Sequence, residues 1–263
     1  MARATATFRR FLSLPAGTAD HPEWWALLLS AAAWLVMAGD GHAAHGGAHA
    51  WALCLAPAPG EHRGFIDNLQ AAWRTGALSA VLLAWATMTL AMMPPLAVPP
   101  IRHVAARSFA MRRDRAIGGF LAGMLGVWLL AGLVALTALG GLPVALLSDK
   151  RAAAAAFLVA SAWQLTPMKR AALLRCHRIV PLAATGWCAD RDCLRYGVIH
   201  GVDCVASCWA MMLAMAVGAH GPMVALGILL VALHEQWSAR ARPAMSAVLL
   251  AGVALLMLAR LPV

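Results

Sequence analysis

Residues 118–140 have the sequence GGFLAGMLGVWLLAGLVALTALG, which contains no charged side chain. A helix needs about 20 mostly apolar residues to cross a hydrocarbon core of about 30 Å, and this stretch is long enough. Six further apolar stretches occur along the chain. We therefore predict an all-α fold, a polytopic transmembrane helix bundle of about seven spans, at 24–39, 76–93, 118–140, 152–166, 197–217, 222–235 and 243–261. The fourth and sixth stretches are short, so six spans is the alternative count.

The composition excludes an ordinary soluble protein. Of the 263 residues, 62% are hydrophobic and 12% are charged, which leaves too little polar surface for a water-soluble domain. The formal net charge is +10. The basic residues lie between the apolar stretches and not on one tail or face, so the charge does not indicate binding to nucleic acid. The lipid bilayer is the predicted partner.

Lysine and arginine are distributed unevenly over the predicted loops. Sixteen of the 21 lie in the amino-terminal tail and in every second loop, and five lie on the other side. Because positive residues near span ends favour the cytoplasmic side, we predict an amino terminus inside the cell and a carboxyl terminus outside. Residues 1–23 are then a cytoplasmic tail, and 24–263 form one transmembrane domain with an outer loop at 40–72.

The fifth predicted span contains polar and sulfur-bearing residues, in the sequence GVIHGVDCVASCWAMMLAMAVG at 197–218. At about 100° per residue, five of them share one narrow helical stripe. These are His200, Cys204, Cys208, Met211 and Met215, and Asp203 lies beside them. Thiolate and thioether ligands favour Cu(I), so the stripe predicts a site for monovalent copper. The alternative is that these residues fill the core and that Gly197 allows close packing of two helices.

Two other predicted spans end at the same depth, in the cytoplasmic half of the bundle. The second ends with Met88 and Met92 on one helix face, and the sixth ends with His234 and Glu235. Polar residues within a membrane are costly and usually face the interior of the bundle. We therefore predict that these four residues belong to the metal site.

Asp203 and Glu235 are the two acidic residues within the predicted spans. A carboxylate that accepts a hydrogen bond from a metal-binding histidine orients the imidazole. We therefore expect Asp203 or Glu235 to pair with His200 or His234.

Two weaker groups of metal-binding residue types lie in the predicted loops. In the outer loop, His42, His45 and His49 recur at three- and four-residue spacing, which predicts a weak metal-collecting arm; the alternative is a polar low-complexity loop. On the inner side, the C-x4-C spacing of Cys188 and Cys193 differs from the C-x2-C of zinc sites, so we interpret these cysteines as free thiols.

Four pieces of the chain resemble a known family. They are WATMTLAMMPP, WQLTPMKRAALLRC, GVIHGVDCVASCWAMMLAMAVGAHGPM and LHEQ, and they lie between about 85 and 236. The chain resembles a bacterial family of unknown function, described as predicted metal-binding integral membrane proteins, of which some members are labelled copper chaperone. The resemblance implies a copper-binding protein of the bacterial cytoplasmic (inner) membrane. The family pattern has consecutive cysteines where this chain has Ser207 and Cys208, and Glu-Lys where it has Glu235 and Gln236.

These observations together predict a membrane protein that binds Cu(I) for transfer or delivery to a protein partner in or at the membrane. No Gly-rich phosphate loop, GxSxG elbow or HExxH motif occurs, so we expect no enzymatic activity. Two alternatives remain open. One is a structural or assembly subunit of a larger membrane complex, and the other is a haem-bearing electron carrier with His200 and His234 as axial ligands.

Overall fold

The computed structural model describes residues 21–40, 78–140, 150–218, 222–237 and 243–259. Within these ranges the chain forms nine α-helices and one short 3-10 helix, with no strand. The α-helices are α1 (Trp24–Asp40), α2 (Leu78–Leu96), α3 (Val98–Ala106), α4 (Arg113–Gly140), α5 (Lys150–Gln164), α6 (Pro167–Cys176), α7 (Gly186–Gly218), α8 (Pro222–Trp237) and α9 (Pro243–Ala259). The 3-10 helix is Ala110–Arg112. The all-α prediction is confirmed, and each of the seven predicted segments contains a helix.

Two of the predicted regions fall mostly outside the described residues. They are the amino-terminal tail and the outer loop at 40–72, which includes His42, His45 and His49. Their predicted roles therefore stay predictions.

Two helical stretches in the described ranges are long and apolar enough to cross a membrane. One is Ala110–Leu139, which combines the 3-10 helix with α4, and the other is Gly186–Val217 in α7. Leu82–Leu96 and Val98–Ala106, which are bent by 64°, would together make a third crossing. The apolar helices Trp24–Met37, Val224–Trp237 and Pro243–Ala259 are shorter. At 1.5 Å per residue they span about 21–26 Å, less than the hydrocarbon core of about 30 Å. The predicted count of seven spans is therefore not confirmed, because two or three crossings meet this criterion.

Helix α7 is the central element of the packing. Helix α1 packs on α2, and α2 packs on α4. Helix α4 packs on α7. Helix α7 also packs on α5, and α5 packs on α9. Helix α8 contacts both α2 and α7, and α6 lies along α7. The four helices α2, α4, α7 and α8 therefore form a closed ring of neighbours around a shared interior.

Glycine allows α4 and α7 to approach each other closely. A Cβ atom on Gly197 would lie 2.0 Å from the backbone oxygen of Phe120, and one on Gly123 would lie 2.4 Å from that of Leu194. Neither position has room for a side chain, so the two backbones are in contact. The predicted role of Gly197 in close packing is confirmed, with α4 as its partner.

Two prolines end α2 and bend the chain into α3. Pro95 has no N–H to donate to the carbonyl of Ala91 one turn earlier. The hydroxyl of Ser30 and the indole of Trp34, both on α1, donate to that free oxygen at 2.5 and 3.1 Å. These bonds attach α1 to the end of α2, where Met93 is buried in the core.

Residues 167–176, between the fourth and fifth predicted spans, form helix α6. Thr166 is its N-cap and accepts a hydrogen bond from the backbone nitrogen of Lys169 at 3.2 Å, and Pro167 occupies the first turn. This start directs Lys169 into the protein, where its side chain is 0% exposed. Lys169 is therefore a buried charge, although it lies between two predicted spans.

Candidate metal centre

The sulfur-bearing stripe of α7 faces the protein interior. None of its members is more than 6% exposed: His200, Cys204, Cys208, Met211 and Met215. Met212, which lies off the stripe, is equally buried. Burial on more than one face follows from the central position of α7, so burial alone does not distinguish the stripe from ordinary core.

Cys204 contacts side chains from two other helices. Its Sγ atom lies 3.9 Å from the Sδ atom of Met93 on α2. The amide nitrogen of Gln236 on α8 donates to the same Sγ atom at 3.7 Å. The thiol is therefore placed where α2, α7 and α8 meet.

The separation of Cys204 and Met93 suits a soft metal ion. With metal–sulfur bonds of about 2.3 Å, two sulfurs 3.9 Å apart would enclose an angle of roughly 115° at the metal. That angle is close to the ligand–metal–ligand angle of a three-coordinate metal ion. Sulfur donors in such a set favour Cu(I) over harder ions.

Cys208 lies one helical turn beyond Cys204 and near the same site. The hydroxyl of Ser207 is 3.3 Å from the Sγ atom of Cys208, and it also donates to the backbone oxygen of Cys204 at 2.9 Å. Ser207 thus links the backbone of Cys204 to the thiol of Cys208.

Three methionines near the end of α2, Met88, Met92 and Met93, are buried. Met88 and Met92, the two that we predicted for the site, belong to the hydrophobic core. Met93 is the methionine whose sulfur contacts the thiol of Cys204. Further along α7, the amide nitrogen of Gln164 donates to the sulfur of Met211 at 3.2 Å.

Glu235 pairs with a lysine and not with a histidine. The Nζ atom of Lys169 lies 2.7 Å from Oε2 of Glu235, and both side chains are almost completely buried. The same ammonium donates to the backbone oxygen of Ser207 at 2.6 Å. The expected pairing of Glu235 with histidine is wrong, because α6 delivers a lysine to this position.

Asp203 also pairs with a residue of α6. The Nε atom of Arg175 donates to Oδ1 of Asp203 at 2.6 Å. Arg175 is thus the ion-pair partner of Asp203, while Asp203 and His200 line the same cavity.

His200 borders a cavity of about 430 Å³ between α6 and α7, which is also lined by Arg175, Arg178, Tyr196 and Asp203. Its ring packs near Phe120, with ring centroids 5.8 Å apart. Its Nε2 atom has no hydrogen-bond partner among the described residues. His200 therefore lines the cavity and has one buried ring nitrogen without a partner in the described part of the chain.

His234 does not join this group. It is exposed on α8, whereas the adjacent Glu235 is buried. A haem with His200 and His234 as axial ligands would need both rings to face one interior space. Nothing in the described part of the chain supports haem.

Across the described ranges, no three His, Cys, Asp or Glu side chains form a group that could hold a metal ion. What converges instead is a mixed set of two thiols, a thioether, an amide and one ion pair. Sequence reasoning missed Met93, Lys169 and Gln236 as members of this set. The signal for Lys169 was the Thr166-Pro167 pair, which is typical of a helix start.

The fold and the site define an all-helical protein with soft sulfur donors buried beside an ion pair. The model of the PpoB2 family, described as copper chaperone, matches residues 82–261, which is more than half of the chain. The chain therefore belongs to this copper chaperone family, and the predicted resemblance is confirmed. No curated protein and no solved structure matches the chain.

Proposed function

We propose that this protein is a multi-pass protein of the bacterial cytoplasmic membrane that binds Cu(I) between Cys204 and Met93 and delivers it to a protein partner. The contact between these two sulfur atoms, from helices far apart in sequence, is the observation that supports the site best. Membership of a copper chaperone family supports copper handling, a partner that receives the metal, and a role other than catalysis.

The stripe on α7 offers a route for the ion. His200 borders the cavity between α6 and α7, Cys204 lies one turn further, and the remaining members continue along the helix to Met215. From residue 200 to residue 215 the rise is about 22 Å, most of a hydrocarbon core. The sequence contains no nucleotide-binding motif, so we propose that the affinity of the partner drives release.

The remaining predicted residues have supporting places in this proposal. Met88, Met92 and Met211 would provide a soft lining beside the site, and Asp203 and Glu235 would hold the basic residues of α6. His234 would lie at the protein surface. The histidines of the outer loop, which are His42, His45 and His49, would collect or receive copper on the outer side.

The test is a competitive Cu(I) titration of the detergent-purified protein, under reducing conditions. Cys204→Ala should lose about one equivalent of tightly bound Cu(I), because a thiolate is the strongest soft donor present. Met93→Leu should weaken binding by about 10-fold, because a neutral thioether contributes less than a thiolate.

The chain offers a matched control for each variant. Cys188 and Met111 are both exposed, so Cys188→Ala and Met111→Leu should bind copper as the wild type does. If Cys204→Ala and Met93→Leu also retain full copper binding, the stripe is packing, and the assembly-subunit alternative replaces this proposal.

A further inference from the structure

A buried ion pair lies beside the sulfur site, which is the contact between Cys204 and Met93. The ammonium of Lys169 binds both the carboxylate of Glu235 and the backbone oxygen of Ser207. Ser207 in turn contacts the thiol of Cys208. Helices α6, α7 and α8 therefore bring one positive and one negative charge next to the two thiols of α7.

Stability alone explains this pair poorly. Removing two charges from water is costly, and apolar residues in place of a buried pair are often as stable or more stable. The Oε1 atom of Glu235 has no hydrogen-bond partner among the described residues, so the local structure does not fully satisfy the carboxylate. Charged residues inside membrane proteins usually have a function.

We propose that Lys169 and Glu235 set the charge of the ion that the sulfur site accepts, and that Lys169 favours a monovalent ion over a divalent one. This inference rests on the proposed copper site at Cys204 and Met93.

The reason is the charge of the metal complex. With a fixed number of thiolates, the complex of a monovalent ion is one unit more negative than that of a divalent ion. A nearby ammonium stabilises the more negative complex, and a nearby carboxylate destabilises it. The ammonium of Lys169 binds the backbone oxygen of Ser207, the residue next to Cys208. Lys169 should therefore favour the monovalent ion, and Glu235 should oppose this preference.

The experiment compares two soft ions that differ in charge and undergo no redox reaction, Ag(I) and Cd(II). Their affinities for the purified protein are measured by competition at one fixed pH. Lys169→Met should raise the ratio of Cd(II) to Ag(I) affinity by about 10- to 100-fold, since a unit charge close to the site acts through an effective dielectric constant of about 20. Glu235→Gln should lower the same ratio, because it removes the opposite charge.

Opposite shifts distinguish a charge effect from a structural one. Damage to the site would change the ratio in the same direction in both variants, or in neither, and that result would overturn the inference. Lys169→Arg keeps the positive charge and should keep the wild-type ratio. The double variant Lys169→Met with Glu235→Gln should return towards it, and it keeps the test valid if a single variant does not fold.

Two further measurements separate the possible failures. Arg112→Gln changes an ion pair with Asp190 that is only partly buried and lies near the start of α7, so the ratio should stay constant. If the wild-type protein binds neither Ag(I) nor Cu(I), the proposed function fails and the inference with it. If it binds both but the two single variants do not shift the ratio in opposite directions, only the inference fails.

Discussion

At the scale of single residues, neighbouring side chains determine what each sulfur can do. Cys204 meets Met93 and Gln236, and Met88, Met92 and Met93 are all buried in the same hydrophobic core. Position along a helix does not separate these three methionines. The packing of the helices brings the sulfur of Met93 to the thiol of Cys204.

Thiol reactivity tests the burial of Cys176 and the exposure of Cys188, which precede the sulfur site in the chain. Burial raises the pKa of the Cys176 thiol to about 12, so it is neutral near neutral pH, and the thiolate is the reactive form. Cys188 is exposed. In a Cys54→Ser background, a polar maleimide should label Cys188 rapidly and Cys176 only after denaturation, as read by mass spectrometry.

Cys188→Ser provides the control for this labelling. It should remove the rapid reaction. Rapid labelling of Cys176 in that variant would contradict its buried position.

At the scale of helices, short sequence motifs at helix ends determine which distant side chains come into contact. The N-cap Thr166 and the first-turn Pro167 start α6, and that start is what directs Lys169 towards Ser207 and Glu235. The prolines at the end of α2 free a carbonyl that α1 then binds. The conspicuous proline motifs therefore act by fixing where helices begin and end, next to the site.

Glycine substitution tests the contact between α4 and α7. Gly197→Ala would place a Cβ atom 2.0 Å from the backbone oxygen of Phe120. We expect a loss of stability of about 1–3 kcal/mol or more, because the backbones must separate. The measurement is the midpoint of thermal unfolding in detergent.

Gly126→Ala on α4 is the matched control. A Cβ atom there meets nothing within 4 Å, and alanine gains up to about 1 kcal/mol in helix propensity over glycine. Its midpoint should stay equal or rise. An equal effect of the two substitutions would show that the close approach of α4 and α7 contributes nothing to stability.

At the scale of the whole molecule, the arrangement of the helices relative to the bilayer is the main expectation left to test. The distribution of lysine and arginine predicts seven spans with the amino terminus inside, whereas length and composition support two or three crossings in the described ranges. Packing of the shorter helices against longer ones is compatible with either arrangement.

Reporter fusions decide the topology. Fusions after the carboxyl terminus and in the loop around His45 should report the outer side, and fusions near Arg112 the inner side. Activity-dependent reporters of both kinds, one for each compartment, are the measurement. A carboxyl terminus inside the cell would exclude seven spans and leave the copper site unaffected.

The sequence by itself determined the all-helical fold, the approximate helix positions, the interior-facing stripe on α7 and the family. Each of these depends on local composition or on helical periodicity, which a linear sequence contains. The family resemblance likewise depends on short sequence motifs.

Only the tertiary structure decided which side chains meet. It paired Glu235 with Lys169 and Asp203 with Arg175, and it chose Met93 as the partner of Cys204. The burial of Lys169 depends on the direction in which α6 leaves Thr166. Pairing between helices distant in sequence is set by how they pack, and no local periodicity specifies that.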